Sequence, residues 1–500
     1  MKRYLTFIVL MACTMASAQN INDVLRYSQE NLQGTARFQG MGGAFGALGG
    51  DLSALNINPA SSAVFNNSQF TISGTNYQTD NAATYFGTLR NANENDLKIN
   101  QVGGVFIFKS RTDSNWKKIA IAVNYDLVQS FEDEFRISGT SNQGIDNYFL
   151  NYADGVPFGS ILLQNGEYIE NAYLDIGAFQ GFADQQAFLG YYGGILDPIE
   201  DEETATEYTS NTVYSAVDQV FSRYTSGYNG KFNINFASQY QDNLYLGASL
   251  NFHTVFYDQF DEFRETGYDA SSPIQQTYFS NFLHTEGSGF SFNLGAIAKV
   301  NQNIRIGGSY QSPTWYQLTD DLSQQIDSDL ADSEINYINH DIINLFEEYT
   351  IKTPAKLTGS IALVFGRDGL LSFDYDYQDM SQAELRPTGD ASFSVVNSEI
   401  ANELNGVSSM RLGGEYRIGH LSLRAGYRFE QSPYADGNNI GDLNAYSGGI
   451  GYNFGGSRLD FAINRTERDY NLQLFDTGVT TPALINKKNT NATLSYTLNF

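Results

Sequence analysis

Cysteine occurs once in this 500-residue chain, at position 13, proline nine times, tryptophan twice and histidine four times. A lone cysteine excludes an internal disulfide framework, and so few scattered histidines offer no dense ligand set for haem or a metal. No cofactor is therefore expected. Positive charge is scarce too: 29 Lys and Arg face 56 Asp and Glu, a formal net charge of −27. Such a chain repels nucleic-acid phosphates, so nucleic acid is not an expected partner. Beyond the first 18 residues no stretch approaches the roughly 20 apolar residues that a spanning helix needs, and the mean hydropathy is −0.33.

Against these absences stand 33 Tyr, 35 Phe and 47 Gly. The first residues read as a secretory signal peptide over 1–18: Lys2 and Arg3, an apolar run from Tyr4 to Met15, then Ala16-Ser17-Ala18 as the cleavage site. A lipoprotein reading at Cys13 is the alternative, and Met11 fits such a site poorly. Cleavage after Ala18 leaves a chain without cysteine. Export and aromatic richness together predict a barrel, whose strands are apolar on one face only and so weakly hydrophobic on average.

From residue 98 onward, apolar residues recur at every second position between Gly/Asn/Asp turns. The clearest run is Leu244, Leu246, Ala248, Leu250 and Phe252, with Tyr245, Gly247, Ser249, Asn251 and His253 on the other face. Ile119 to Tyr125, Phe290 to Ala298, Leu371 to Tyr377, Leu421 to Tyr427 and Leu459 to Ile463 read the same way. Tight connections are expected near Thr112 to Asn115, Tyr240 to Asn243, Asn301 to Asn303, Arg367 to Gly369, Gly419-His420 and Gly455-Gly456. Six such pairs, a first strand around Gln69 to Tyr77 and a last one ending at Phe500 give an all-β, transmembrane antiparallel barrel of about 14 strands over 66–500. Its long loops are expected outside the cell, the largest over 132–223. Val105 through Phe108 break the alternation of Ile99 to Phe108. On the last strand Tyr496, Leu498 and Phe500 share a face and end in an aromatic, which resembles the C-terminal signal read by the outer-membrane barrel assembly machinery. The implied surroundings are outer-membrane lipid and lipopolysaccharide. The plainer alternative is a terminal strand of a soluble sandwich.

Residues 19–65 do not read as barrel. A short helix is expected around Ile21 to Gln29, followed by Ala36-Arg37-Phe38-Gln39-Gly40-Met41-Gly42-Gly43-Ala44-Phe45-Gly46-Ala47, then Asp51 and Asn58-Pro59-Ala60. Small residues at this density permit a tightly folded backbone within a narrow lumen. This order of Ala-Arg, glycines, Asp and Asn-Pro-Ala resembles the N-terminal hatch of long-chain fatty acid and hydrocarbon transporters of the FadL/TodX type. Tyr310-Gln311-Ser312-Pro313 and Thr353-Pro354 add weaker similarity. The resemblance implies a 14-stranded outer-membrane barrel plugged by a hatch at 19–65, with Arg37, Gly40, Gly42, Gly43, Asp51, Asn58, Pro59 and Ala60 as hatch or gate residues. It also implies uptake of an apolar small molecule by passive diffusion: capture by an outer groove, passage to a site beside the hatch, and lateral exit through the wall.

Capture residues are sought in the 132–223 loop at Phe149, Leu150, Phe179, Phe182, Phe188, Leu189, Tyr191 and Tyr192, although such a loop also suits a small core of its own. The lumen face carries Arg305, Asp374, Asp376, Arg411, Glu415, Arg424, Arg428, Arg458 and Asp460, read as an ion-pair network that stiffens the barrel and holds the hatch, or alternatively as carboxylate ligands for cargo. Acidic runs at Glu200 to Glu207 and Asp320 to Glu334 read as solvated loops, with divalent cations as the sharper alternative. Ser249, Asn251 and His253 share a face and admit a lipid-hydrolysing barrel, while polar lumen lining explains them more simply; no enzyme is expected. His284, His340 and His420 are placed in loops or a turn. A general porin or surface adhesin is the remaining alternative, and a hatch argues against an open pore.

Overall fold

A computed structural model of the chain describes residues 19–500; the leader expected over 1–18 lies outside the described residues. Fourteen antiparallel strands form a closed wall. They are β1 Gln69–Tyr85, β2 Thr88–Lys109, β3 at 116–141, β4 Val217–Tyr240, β5 Leu244–Thr266, β6 Gln276–Lys299 and β7 at 304–328. The rest are β8 at 349–365, β9 at 369–386, β10 Gly406–Ile418, β11 Leu421–Glu430, β12 Leu443–Asn453, β13 Ser457–Leu472 and β14 Ala483–Asn499. Closure is explicit, because β1 pairs with both β2 and β14, with Phe70 opposite Gly104 on one side and Leu498 on the other. Every strand thus has two neighbours, although β2 pairs with β3 only over Gln101–Lys109 and with β1 alone over residues 88–100.

All six tight connections form where the sequence places them, at one end of the barrel; the long connections gather at the other. Alternation decides which face meets lipid. On β5, Leu246, Leu250 and Phe252 are 39–45% exposed on the outer surface, whereas Tyr245, Ser249, Asn251 and His253 are buried inside. Tyr496, Leu498 and Phe500 lie on the outer face of the end of the chain, and the Phe500 ring meets Phe106 edge-on at 6.2 Å.

The structure corrects three details. The first strand runs on to Tyr85 and turns tightly at Phe86-Gly87, so 78–98 is a hairpin rather than a loop. The broken alternation near Val105 has two causes. Asn100 is an extra residue, since Ser73 pairs with Gln101 and Gly74 with Ile99. Val105 and Ile107 then face inward, where they pack against apolar hatch residues instead of water. Finally, His284 lies within β6, not in a loop.

The hatch begins with α1, Ile21–Ser28, whose capping box follows from sequence: Asn20 Oδ1 accepts from Asn22 N at 2.8 Å and Asp23 Oδ2 from Asn20 N at 2.8 Å. It continues through α2, Ala36–Gly40, and two 3-10 turns, Leu52–Asn56 and Pro59–Val64. At the loop end, α3 Asp146–Ala153, α4 Ile169–Phe179, α5 Phe182–Tyr192 and a short hairpin form a cap. Its apolar core merges with Phe221, Phe263 and Phe279 from the upper wall and with Phe475.

Candidate functional site

The hatch is docked, not merely enclosed. Its backbone turns sharply at Gly42 and Gly43, at φ +62° and +76°, which L side chains rarely adopt. Asp51 caps the first 3-10 turn, accepting from Ser53 N at 3.1 Å and from Thr35 Oγ1 at 2.8 Å. Asn58 caps the second: its Oδ1 accepts from Ala60 N at 3.1 Å, and Pro59 holds the first position with a φ suited to a turn start. Asn58 Nδ2 also donates to Gly46 O within the hatch at 2.8 Å and reaches the wall at Ala296 O, 3.0 Å away. Asn235 Nδ2 donates to Pro59 O at 2.9 Å, and Gly46 N donates to Asp374 at 2.9 Å.

Wall glycines permit this proximity. A Cβ at Gly247 would lie 2.4 Å from Pro59 O, one at Gly295 2.1 Å from Asn58 Oδ1, and one at Gly413 2.3 Å from Met41 O. Gly40 packs against Gly449, its own Cβ position 3.3 Å from that Cα. In the sequence the small residues stand out only in the hatch; their counterparts occupy inward positions of otherwise ordinary alternating strands.

Buried ion pairs lock the same contact. Arg37 Nε donates to Glu415 at 2.9 Å, Arg424 bridges Glu415 at 2.6 Å and Asp460 at 2.7 Å, and Arg458 also meets Asp460. Arg411 pairs with Asp376 at 2.6 Å, and Arg305 donates to the hatch carbonyl of Leu48 at 2.9 Å. The structure therefore joins the expected lumen charges into a network centred on the hatch.

Between the N-terminal arm of the hatch and the wall lies a small, partly open cavity of about 70 Å³, lined by Glu30, Leu32, Phe38, Ile57, Leu127, Val128, Met380 and Val407 among others. Most of its charges are paired. Lys356 Nζ donates to Glu30 at 2.6 Å, and Arg428 and Arg468 both hold Glu430, at 2.6 and 2.9 Å. Partial burial pushes the Glu30 carboxyl up, but Lys356, Lys231 and a hydrogen bond from Gln311 outweigh it and hold it well below the usual carboxylate range. Lys231 differs from its neighbours. It is 5% exposed and lines the cavity, and its ammonium makes no hydrogen bond or ion pair with any described residue; Glu30 and Asp126 feel it only through space. No motif marks Lys231 or Glu30 in the sequence.

The capture residues have a different setting. Phe149, Phe188 and Leu189 are sealed in the cap core, with Leu150, Tyr191 and Tyr192 packed against it. Phe182 meets Tyr152 edge-on at 5.5 Å, and only Phe179, at the end of α4, is widely exposed. The cap thus has the small core that was the alternative reading. Nor are Ser249 and His253 hydrogen-bonded to each other: Ser249 accepts from Asn235 at 2.9 Å, and His253 contacts Asn229 and Tyr316, each at 3.2 Å.

A family model described as outer membrane protein transport protein (OMPP1/FadL/TodX) matches residues 202–495. A FadL homologue of Pseudomonas aeruginosa shares the fold over 94% of this chain and 99% of its own, at 12% identity and TM-score 0.55. The toluene transporter TodX of Pseudomonas putida aligns over 95% and 100% at 15% identity, with TM-score 0.48. No curated protein matches. With the match spanning more than half of its length, this chain belongs to the outer membrane transport protein family of OMPP1, FadL and TodX.

Proposed function

We propose that the barrel takes up hydrophobic molecules by passive diffusion under control of the hatch, and that its preferred cargo is an acid with an apolar tail, such as a long-chain fatty acid. The short turns face the periplasm and the capped loops the outside, as in barrels of this kind generally. The observation that carries the cargo preference is Lys231, an ammonium that pairs with no described residue and lines the cavity beside apolar Leu127, Val128 and Met380. A carboxylate arriving there gains charge-assisted hydrogen bonds. A neutral hydrocarbon gains none. In this reading Arg37, Gly40, Gly42, Gly43, Asp51, Asn58, Pro59 and Ala60 are the docking points of the gate, and an open porin is disfavoured because the hatch fills the lumen. Phe179 is left as the capture residue with the most accessible ring.

The test is Lys231→Met in the full barrel. Binding of a long-chain fatty acid should weaken about tenfold, the worth of one charged hydrogen bond, while binding of a neutral alkane or arene is unchanged. Equal fatty-acid affinity in parent and variant would refute the cargo assignment.

A further inference from the structure

The turn end of the lumen holds a second group of cations. Lys118 on β3 is buried and spends one donor on the last hatch carbonyl, Phe65 O, at 2.6 Å. Its ammonium lies 5.9 Å from the centre of the Tyr245 ring, and that of Lys299 on β6 lies 5.0 Å from the same centre. Arg305 on β7 completes the group, bound to Leu48 O and acted on electrostatically by Tyr245.

No carboxylate balances them. The charged groups acting on Lys118 are two other lysines, Lys299 and Lys109, and the only side chain acting on Arg305 is the Tyr245 phenol, neutral at neutral pH. Elsewhere in the lumen the arginines are paired with carboxylates, as Arg37, Arg411 and Arg424 show. The excess is local to this end. The short turns with their flanks, 108–118, 238–246, 298–306, 364–370, 416–422 and 453–459, carry nine Lys or Arg against three Asp; Arg417 and Arg458 pair with Glu415 and Asp460 just beyond them, and Lys117 with Asp113, while Lys118, Lys299 and Arg305 pair with no carboxylate. Packed cations without counter-charge repel one another, and an anion relieves that repulsion.

We infer that Lys118, Lys299 and Arg305 form a binding site for a small oxyanion, carboxylate or phosphate, at the periplasmic mouth beneath the hatch. For the acid cargo proposed above, on which this assignment of the ligand rests, it is a second station. The group lies below the last 3-10 turn of the hatch, apart from Lys231, and holds an anionic head group there. Tyr245 supplies a phenol for the same oxyanion, and Phe65 and Ile297 next to it supply apolar contact for a tail.

Isothermal titration of the intact barrel in a neutral detergent, with dodecanoate and separately with inorganic phosphate, tests this. Lys299→Gln removes a side chain that forms no hydrogen bond, so the fold is retained, which heat-modifiable gel mobility verifies; K118Q/K299Q is the stronger variant. Phosphate should bind the parent and K231M equally and weaken about tenfold in K299Q. Dodecanoate should fill two sites in the parent, one of them weakened about tenfold in K231M and the other weakened at least tenfold in K118Q/K299Q. A phosphate response without a second dodecanoate site supports the anion site and assigns it to a phospholipid head group. Unchanged dodecanoate binding in K231M overturns the cargo reading alone, because the phosphate titration still decides this site. Phosphate and dodecanoate binding that are the same in the parent, K299Q and K118Q/K299Q overturn the site.

Discussion

Glu30 shows how single residues hold the hatch arm. Its folded-state acidity is held below the ordinary glutamate value of about 4.3, so the sign of its contribution is fixed: present in full above that value and lost as pH falls through the lower, folded one. Hydrogen exchange across residues 21–33 should accordingly stay slow from neutrality down to about pH 4.3 and rise only in stronger acid. In Glu30→Gln the protection should be weaker at neutral pH, by about 1–3 kcal/mol for a lost charged hydrogen bond, and should no longer respond to acid. Opening of the arm in the parent at pH 5 would contradict this role. None of this is legible in sequence, since Glu30 meets Lys356 across 326 positions and Lys231 is one amine among few. Asp51, Asn58 and Pro59 were singled out through the resemblance of the hatch order alone; the caps they form are local, an Asn or Asp side chain bonding the backbone two residues on and proline fitting the first turn.

At the scale of elements, period-two alternation was enough for most of the wall, since one face must meet lipid and the other a polar lumen. It failed where the inside is not polar. Val105 and Ile107 point inward against Leu52, Leu55 and Phe65 of the hatch, a contact invisible from strand patterning alone. The wall glycines follow the same logic. Gly295 is read in isolation as a weak spot of β6, yet it is the only side-chain choice that leaves room for Asn58. Gly295→Leu should therefore leave the barrel closed and heat-modifiable, because its strand pairing with Gly247 and Ser309 is backbone only, while expelling the hatch from its seat. Planar-bilayer recordings should then show a large ionic conductance that the parent lacks. A variant as tight as the parent would mean that the glycines do not seat the hatch.

For the whole molecule the central claim is that a barrel sealed by its own N-terminal segment lets a hydrophobic acid through when that segment moves. The barrel and the membrane it occupies were readable from alternation, turn spacing and aromatic content, and the hatch from one glycine-rich order of residues. The cap was not, because loop aromatics that suggest a capture surface serve equally well as the core that closes the mouth. The most direct measurement uses the absence of cysteine from residues 19–500. Ala36 N donates to Ser495 Oγ at 2.7 Å, so hatch and wall touch there. Cysteines placed at Ala36 and Ser495 can be joined by oxidation or by a short thiol crosslinker, and released again by reduction where a disulfide has formed. Uptake of a radiolabelled long-chain fatty acid should be abolished in the joined barrel and restored on reduction, with both single-cysteine variants unaffected. Uptake at the parental rate while the hatch is fastened to the wall would contradict the account.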